Sequence, residues 1–328
     1  MALTSEGIVN IPGLMSRWVR LGNGAMAHYM TAGDSGPSII LLHGGIVGSS
    51  GAAGWRFMAT ALAEAGFRVY CPDRPGFGLA DTRERYWPKM GYFSWVEFVD
   101  QFADAVGLDK FFLAGNSQGA ACTAYYVVNH PQRIERFALI ATALFTQPFV
   151  LGVDQSKVKQ GMGSGKFDGT PASMKALMEP IIFRKEAIDD ALLEMRTRAA
   201  NNQMDAYNAA LKFNTEAPKD PNYAHLFNLK GRLDKLTIPG IYLFGRQDVL
   251  VPVENGYLQE GQLPNIQVFY PDQCGHQGQT DQPEMFNQVF IEFFKNGKVS
   301  RKTADWAGVS KRRPELTHLV EQSAVAAG

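Results

Sequence analysis

One pentapeptide in this chain has both the residue types and the setting for nucleophilic chemistry: Gly115-Asn116-Ser117-Gln118-Gly119. It follows a short apolar run, 111–114 (FFLA), and opens a stretch of helical spacing, 118–129. A strand-to-helix turn this sharp strains the backbone at the serine and pushes its hydroxyl into a cleft, and the two glycines let strand and helix pass closely. The helix N-terminus lends positive potential to the same place. A serine hydroxyl is a poor nucleophile at neutral pH and needs a base within hydrogen-bond reach. Of the six histidines, His276 is best placed: it ends Gln273-Cys274-Gly275-His276, after the run 266–270 (IQVFY) and before the last amphipathic segment. His28, His43, His130, His225 and His318 read as structural, and of these His225 alone is kept with a substrate contact as its alternative. Asp248, in the loop after 238–244 (IPGIYLF), supplies a carboxylate to fix the imidazole tautomer and stabilise the imidazolium. The rival loop, after 136–141 (RFALIA), offers no Asp or Glu before Asp154.

A serine that attacks a carbonyl creates an oxyanion, which needs fixed N–H donors. Leu41-Leu42-His43-Gly44-Gly45 ends another buried apolar run and brings backbone N–H groups to the same sheet edge. The backbone N–H groups of Gly45 and Gln118 are the expected donors.

These residues have to be positioned by a regular scaffold, and its rhythm is legible. Residues 19–21 and 25–32 flank Gly22-Asn23-Gly24, a hairpin signal. Short apolar runs at 38–42 (SIILL), 67–71 (FRVYC), 111–114 and 136–141 alternate with helical segments at 55–65, 93–106 and 118–129. Such alternation predicts an α/β fold with a mostly parallel sheet and helices on both faces. The rhythm stops near residue 144, gives way to a helical, Met- and Ala-rich insertion, and returns near 234. Four segments are therefore expected: a first core part at 1–144, a helical cap at 145–233, a second core part at 234–296 and a polar, basic surface tail at 297–328. A cap so placed would cover the edge where such sheets bind ligands.

Composition narrows the partners. With 32 basic and 32 acidic residues the net charge is zero, which gives no pull toward nucleic acid or an anionic membrane. The expected partner is a small hydrophobic, aromatic carbonyl compound, and a homo-oligomer stays open. Cys71, Cys122 and Cys274 have no metal-ligand or CxxC spacing and are expected as free thiols. No apolar run is long enough to cross a membrane, and the first residues lack a signal-peptide pattern, so a cytoplasmic location is expected. No metal or organic cofactor is indicated.

Over roughly residues 15–296 the chain resembles the α/β-hydrolase superfamily. The carriers are LLHGG at 41–45, PDRPGFGLAD at 72–81, AGNSQG at 114–119, GRQD at 245–248 and CGH at 274–276. The resemblance implies an α/β-hydrolase fold, with an eight-stranded sheet under a cap. Within the superfamily the chain looks most like the meta-cleavage product hydrolases, which cut a carbon–carbon bond in products of aromatic ring cleavage. That likeness rests on Asn116 before the serine, on CGH followed by Gln279, and on Ala191-Leu192-Leu193-Glu194-Met195-Arg196. It implies Arg196 as a ligand for a carboxylate or carbonyl, with Gly44, Asn116 and Gln277 as further substrate contacts. Two positions depart from the pattern: Gln277 stands where the family usually has Trp, and Trp55-Arg56-Phe57 replaces a displaced Trp-x-Asn.

The expected chemistry is a two-step hydrolysis with Ser117 as nucleophile, His276 as base and Asp248 as its orienting acid. Phe145, Phe149, Met162, Met178, Ile181, Phe183, Leu193 and Met195 are candidate pocket lining. An esterase or lactonase would use the same groups, and so stays an alternative; a ligand receptor without turnover is a more remote one. Asp at the elbow would have meant a dehalogenase or epoxide hydrolase, and Ser117 argues against both.

Overall fold

The computed structural model describes residues 2–3, 9–163 and 165–322. A two-stranded ribbon, β1 (Ala2–Leu3) and β2 (Val9–Asn10), precedes the main sheet. That sheet is built from β3 (Met15–Arg20), β4 (Met26–Ala32), β5 (Ser38–Leu42), β6 (Arg68–Pro72), β7 (Phe111–Asn116), β8 (Ile134–Ile140), β9 (Gly240–Leu243) and β10 (Ile266–Phe269). Its eight strands run in the order β10-β9-β8-β7-β5-β6-β4-β3. The pairs from β10 to β6 are parallel, and β4 and β3 add antiparallel at one edge. This is the mostly parallel, eight-stranded α/β arrangement that the sequence predicts.

The strands at the centre are apolar throughout because both their faces are buried. In β5, Ile40 and Leu42 join one core while Ile39 and Leu41 join the other, following the period-two alternation of a strand. β7 repeats this, with Phe111 and Leu113 on one side and Phe112 and Ala114 on the other. α3 (Tyr92–Ala105) and α4 (Gln118–Asn129) pack on the first side. α1 (Gly51–Trp55), α2 (Ala59–Glu64) and α10 (Pro283–Asn296) pack on the second. α10 shows why: Met285, Phe286, Val289, Phe290, Phe293 and Phe294 fall on one helical face, with Pro283 at its start and Gly297 in left-handed conformation at its end.

Between β8 and β9 the chain leaves the sheet. α5 (Pro171–Met178), the long α6 (Asp190–Glu216) and α7 (Pro221–Ala224) lie in this excursion. Asp189 caps α6 by accepting the Leu192 N–H. A third core, around Met174, Leu177, Met178, Ile181 and Leu193, closes on Val47 in the loop after β5, so these helices sit over the sheet's C-terminal edge. α8 (Val253–Glu260), α9 (Gly278–Asp281) and α11 (Arg301–Trp306) complete the helices.

Three expectations need correction. The single helix expected at 55–65 is two short helices, because the chain turns at Arg56–Met58, where the Arg56 guanidinium reaches the Ala187 carbonyl and the Phe57 carbonyl accepts from Asn287. The first hairpin strand starts at Met15 rather than Val19; it is an exposed edge with no apolar pattern to mark it. The stretch from 297 is not a surface tail over 299–320. Val299, Val309, Leu319 and Val320 are buried, Gly308 accepts from the Tyr270 N–H at 2.8 Å, and Ser310 donates to Val268 at 2.9 Å. This segment covers the open backbone of β10, an edge that would otherwise invite pairing with another chain. Its apolar residues are few and irregularly spaced among Lys and Arg, which hides the role in sequence.

Candidate active site

Ser117 stands between β7 and α4 with φ 55° and ψ −121°, a left-handed conformation that non-glycine residues rarely hold. Its N–H donates to the Ile140 carbonyl at 2.7 Å, which fastens the turn to the neighbouring strand. The elbow tolerates nothing but glycine on either side: a Cβ on Gly119 would come within 2.2 Å of the Leu42 carbonyl oxygen, and one on Gly115 within 2.3 Å of the Gly119 backbone. The two glycines of this pentapeptide thus follow from how closely strand, turn and helix approach.

His276 and Asp248 meet this serine from loops after β10 and β9. The Ser117 Oγ lies 2.8 Å from His276 Nε2, and His276 Nδ1 lies 2.8 Å from Asp248 Oδ2. The other oxygen of Asp248 accepts the N–H groups of Leu250 and Val251, both at 2.9 Å. Asp248 and His276 are buried. A carboxylate held this way fixes the proton on Nδ1 and leaves Nε2 facing the hydroxyl as an acceptor. The loop carrying His276 is itself tied down, since its N–H donates to Ile181 at 3.0 Å and its carbonyl accepts from the Asn116 amide at 3.0 Å. Asn116, expected as a substrate contact, is buried and spends its amide N–H on the histidine backbone.

The Gly44–Gly45 peptide is oriented from behind. Arg74 Nη2 donates to the carbonyls of His43 and Gly44 at 2.8 and 2.9 Å, and its guanidinium packs against the rings of Phe77 and Trp95. His43 Nδ1 donates to the same Gly44 carbonyl at 2.8 Å. In a trans peptide the N–H points opposite to the C=O, so the Gly45 N–H faces away from Arg74. The Gln118 side chain lies directly on Gly45, where an added Cβ would meet its Cδ at 2.5 Å. Burial and then the Arg74 charge pull the His43 pKa down to about 3, so this imidazole stays neutral and structural.

Arg196, on α6, is fully enclosed. Its Nη2 donates to Ser49 Oγ at 3.1 Å, and its Nε has no partner among the described residues. Burial, followed by the nearby Arg56 charge, lowers its pKa to about 10. No ion pair joins it to a carboxylate among the described residues. A buried cation with no carboxylate is costly, and it is a natural place for an anionic ligand. Gln277 is buried beside His276, and its carbonyl accepts the N–H groups of Thr280 and Asp281.

A cavity of about 330 Å³ lies between the Gly45-Ile46-Val47 loop and the cap residues Lys166, Phe167, Leu177, Met204 and Tyr207. A neighbouring one of about 200 Å³ shares Ile46, Gly165 and Leu177 and adds Met162 and Ile181. Of the residues expected to line a pocket, Met162 and Ile181 do so here. Phe145, Phe149 and Met195 are packed in the cores, and Phe183 is exposed. Phe167, Leu177, Met204 and Tyr207 carry no sequence signal beyond being apolar in the insertion. His225 opens instead onto a separate cleft with Asp100, His130 and Arg232, which contains none of the residues around Ser117.

A second chain of the same residue types exists elsewhere. Ser16 Oγ lies 2.7 Å from His28 Nε2, and His28 Nδ1 lies 2.8 Å from Asp73 Oδ2. Sequence spacing gives no hint of it, because Ser16 and His28 meet only diagonally across the β3–β4 hairpin, where Ser16 pairs with Met30 and His28 with Trp18.

Among the described residues no cluster of three or more His, Cys, Asp or Glu could hold a metal, and no helix is long and apolar enough to cross a membrane.

A family model for the alpha/beta hydrolase fold matches residues 37–283. A 2-hydroxy-6-oxononadienedioate/2-hydroxy-6-oxononatrienedioate hydrolase of Paraburkholderia phymatum is 26% identical over 275 residues, covering 83% of this chain and 92% of its own. A 2-hydroxy-6-oxo-6-phenylhexa-2,4-dienoate hydrolase of Burkholderia cepacia is 27% identical over 272 residues, covering 82% of this chain and 91% of its own. The solved structure of a 2-hydroxy-6-oxo-6-phenylhexa-2,4-dienoate hydrolase from Rhodococcus sp. strain RHA1 has a TM-score of 0.68 at 23% identity, covering 86% of this chain and 99% of that one. At that identity the likeness bears on the fold.

Proposed function

This chain belongs to the alpha/beta hydrolase fold family, and on that premise we propose that it is a serine hydrolase of carbon–carbon bonds, acting on dienoate products of aromatic ring cleavage. The observation that carries the reading is the unbroken chain from Ser117 Oγ through His276 to Asp248, at 2.8 Å for each step, ending on a strained elbow.

His276 Nε2 takes the hydroxyl proton as Ser117 Oγ attacks the substrate carbonyl. The N–H groups of Gly45 and Gln118 receive the oxyanion: the first is turned by the hold of Arg74 on the Gly44 carbonyl, the second opens helix α4. The imidazolium, steadied by Asp248, returns the proton. When the leaving group is carbon, that proton goes to the carbon before or with bond cleavage. Water then enters, His276 deprotonates it, and the acyl-enzyme opens to a carboxylic acid and free Ser117. Arg196 takes the carboxylate of the dienoate, which relieves its own burial without a counter-charge. Relatives from Paraburkholderia phymatum and Burkholderia cepacia are named for such dienoates, one with a second carboxylate and one with a phenyl group.

Ester or lactone cleavage is the second reading, because Gln277 and the Trp55-Arg56-Phe57 segment depart from the carbon–carbon pattern while the relay is unchanged. Purified protein given a dienoate ring-cleavage product, a nitrophenyl ester and a phenolic lactone separates the two. The proposal expects the dienoate to have the highest kcat/KM, and Ser117→Ala to abolish it. Turnover of the lactone alone overturns the carbon–carbon assignment, and full activity in Ser117→Ala overturns the serine mechanism.

A further inference from the structure

The histidine loop and the cap are bonded to each other through one carboxylate. Asp281, in α9, is buried. Its Oδ1 accepts the N–H groups of Phe183 and Arg184, at 2.8 and 3.1 Å, in the cap segment after α5. Its Oδ2 accepts the Gly275 N–H at 2.7 Å, one residue before His276. The His276 N–H donates to Ile181 at 3.0 Å, closing a ring of bonds between residues 181–184, residues 275–276 and Asp281. The fit is tight, since a Cβ on Gly275 would lie 2.9 Å from the Ile181 carbonyl oxygen and 3.2 Å from Asp281 Oδ2. Burial raises the Asp281 pKa, and the three backbone N–H donors and Lys185 pull it back.

We propose that Asp281 is a positioning residue that makes docking of cap residues 181–184 and placement of His276 a single event. The proposal rests on the reading of His276 as the base. Only a carboxylate can do this, because both oxygens must accept: one from the cap and one from the histidine loop. An amide has one acceptor oxygen, and its NH₂ would face an N–H on whichever side it met. When the cap segment lifts, Gly275 loses a restraint shared through the same side chain, and His276 loses the Ile181 acceptor. The imidazole then drifts from Ser117. A misplacement of about 1 Å costs up to about 100-fold in rate.

Asp281→Asn, Asp281→Glu and Gly275→Ala test this against wild type. Each is assayed for kcat and KM per serine that a fluorophosphonate labels at completion, for the rate of that labelling, and for amide hydrogen exchange. Asp281→Asn is expected to lower kcat and the labelling rate together, by about 10- to 100-fold. Protection should fall at both 183–184 and 275–276. Asp281→Glu, which keeps two acceptor oxygens, restores most of the rate, and Gly275→Ala gives the same signature more mildly. Gly275→Ala carries the test if Asp281→Asn fails to fold. A lowered melting temperature with unchanged kcat and labelling rate per site overturns the proposal, as does loss of protection on one side alone. Failure of the wild type to label at Ser117 sinks the active-site reading first, and so is told apart from failure of the coupling.

Discussion

Two Ser–His–Asp relays stand in this molecule with nearly the same dimensions, and they differ in what surrounds the serine. Ser117–His276–Asp248 has steps of 2.8 and 2.8 Å, and Ser16–His28–Asp73 has steps of 2.7 and 2.8 Å. Each aspartate is also held by backbone N–H groups: Asp248 by Leu250 and Val251, Asp73 by Gly51 and Leu79. Ser117, however, sits on a left-handed turn at the start of a helix, beside the Gly44–Gly45 loop. Ser16 sits in a regular strand opposite Met30, with its histidine wholly buried under Trp18. A relay of hydrogen bonds activates a hydroxyl only where there is room for an acyl group and N–H donors that face the developing charge. Without these, the same three side chains form a cross-link. Asp73 fastens the starts of α1 and of the turn at Leu79 to β4, next to the Arg74 that holds the Gly44 carbonyl.

The largest test of this contrast swaps the two serines. Ser117→Ala is expected to lower kcat/KM by about 10⁴- to 10⁶-fold, leaving only what the oxyanion donors and binding supply. Ser16→Ala should stay within about twofold, since it removes one hydrogen bond remote from the chemistry. Comparable losses in a steady-state assay of both variants break the contrast outright.

The aspartates sharpen it. Asp248→Asn is expected to lower kcat by about 10⁴-fold, through the wrong imidazole tautomer, with little change in the urea midpoint. Asp73→Asn should do the reverse, keeping kcat per folded molecule while lowering the midpoint. The pH dependence has a definite sign. Asp73 is buried, which raises its pKa, but His28 and the backbone donors outweigh this and hold it below the ordinary 3.8. A depressed carboxylate contributes stability that is full above its unfolded value and is lost as pH falls through the folded one. Melting temperature followed from pH 6 downward should therefore drop more steeply below about pH 4 in wild type than in Asp73→Asn. Parallel curves count against the structural role.

The smallest effect concerns Arg196, a buried cation on the cap helix α6 that no ion pair joins to a carboxylate among the described residues. Arg196→Met should raise KM for a dienoate by about 10- to 100-fold, the value of one charge-assisted hydrogen bond. It should change KM for a neutral nitrophenyl ester little, and leave stability equal or higher because an uncompensated buried charge is removed. Equal KM changes for both substrates would remove Arg196 from carboxylate recognition.

Much of this was legible in the chain because the signals are local. SIILL, FFLA and the amphipathic face of 283–296 announce their elements within a few residues, and the elbow glycines announce the turn they permit. Other features escaped because their partners are remote. Asp281 meets Phe183 across 98 residues, Arg196 meets Ser49 across 147, and the 299–320 segment reads as a tail until β10 is seen beside it. Asn116 shows the same limit from the other side: its type and place suggested a substrate contact, and only the His276 carbonyl, 160 positions away, gives it another task.

The order of strands and helices, the strained serine and the identities of its histidine and aspartate were set by residue type and short-range spacing, since apolar period and turn chemistry act over one element at a time. Tertiary packing decided which of two equal relays stands on the strained turn beside the Gly45 loop, how Arg74 turns the Gly44 peptide, and that Asp281 bridges cap and histidine loop. Those outcomes depend on burial and on hydrogen bonds between segments that meet only once the sheet has formed, and no local pattern encodes them.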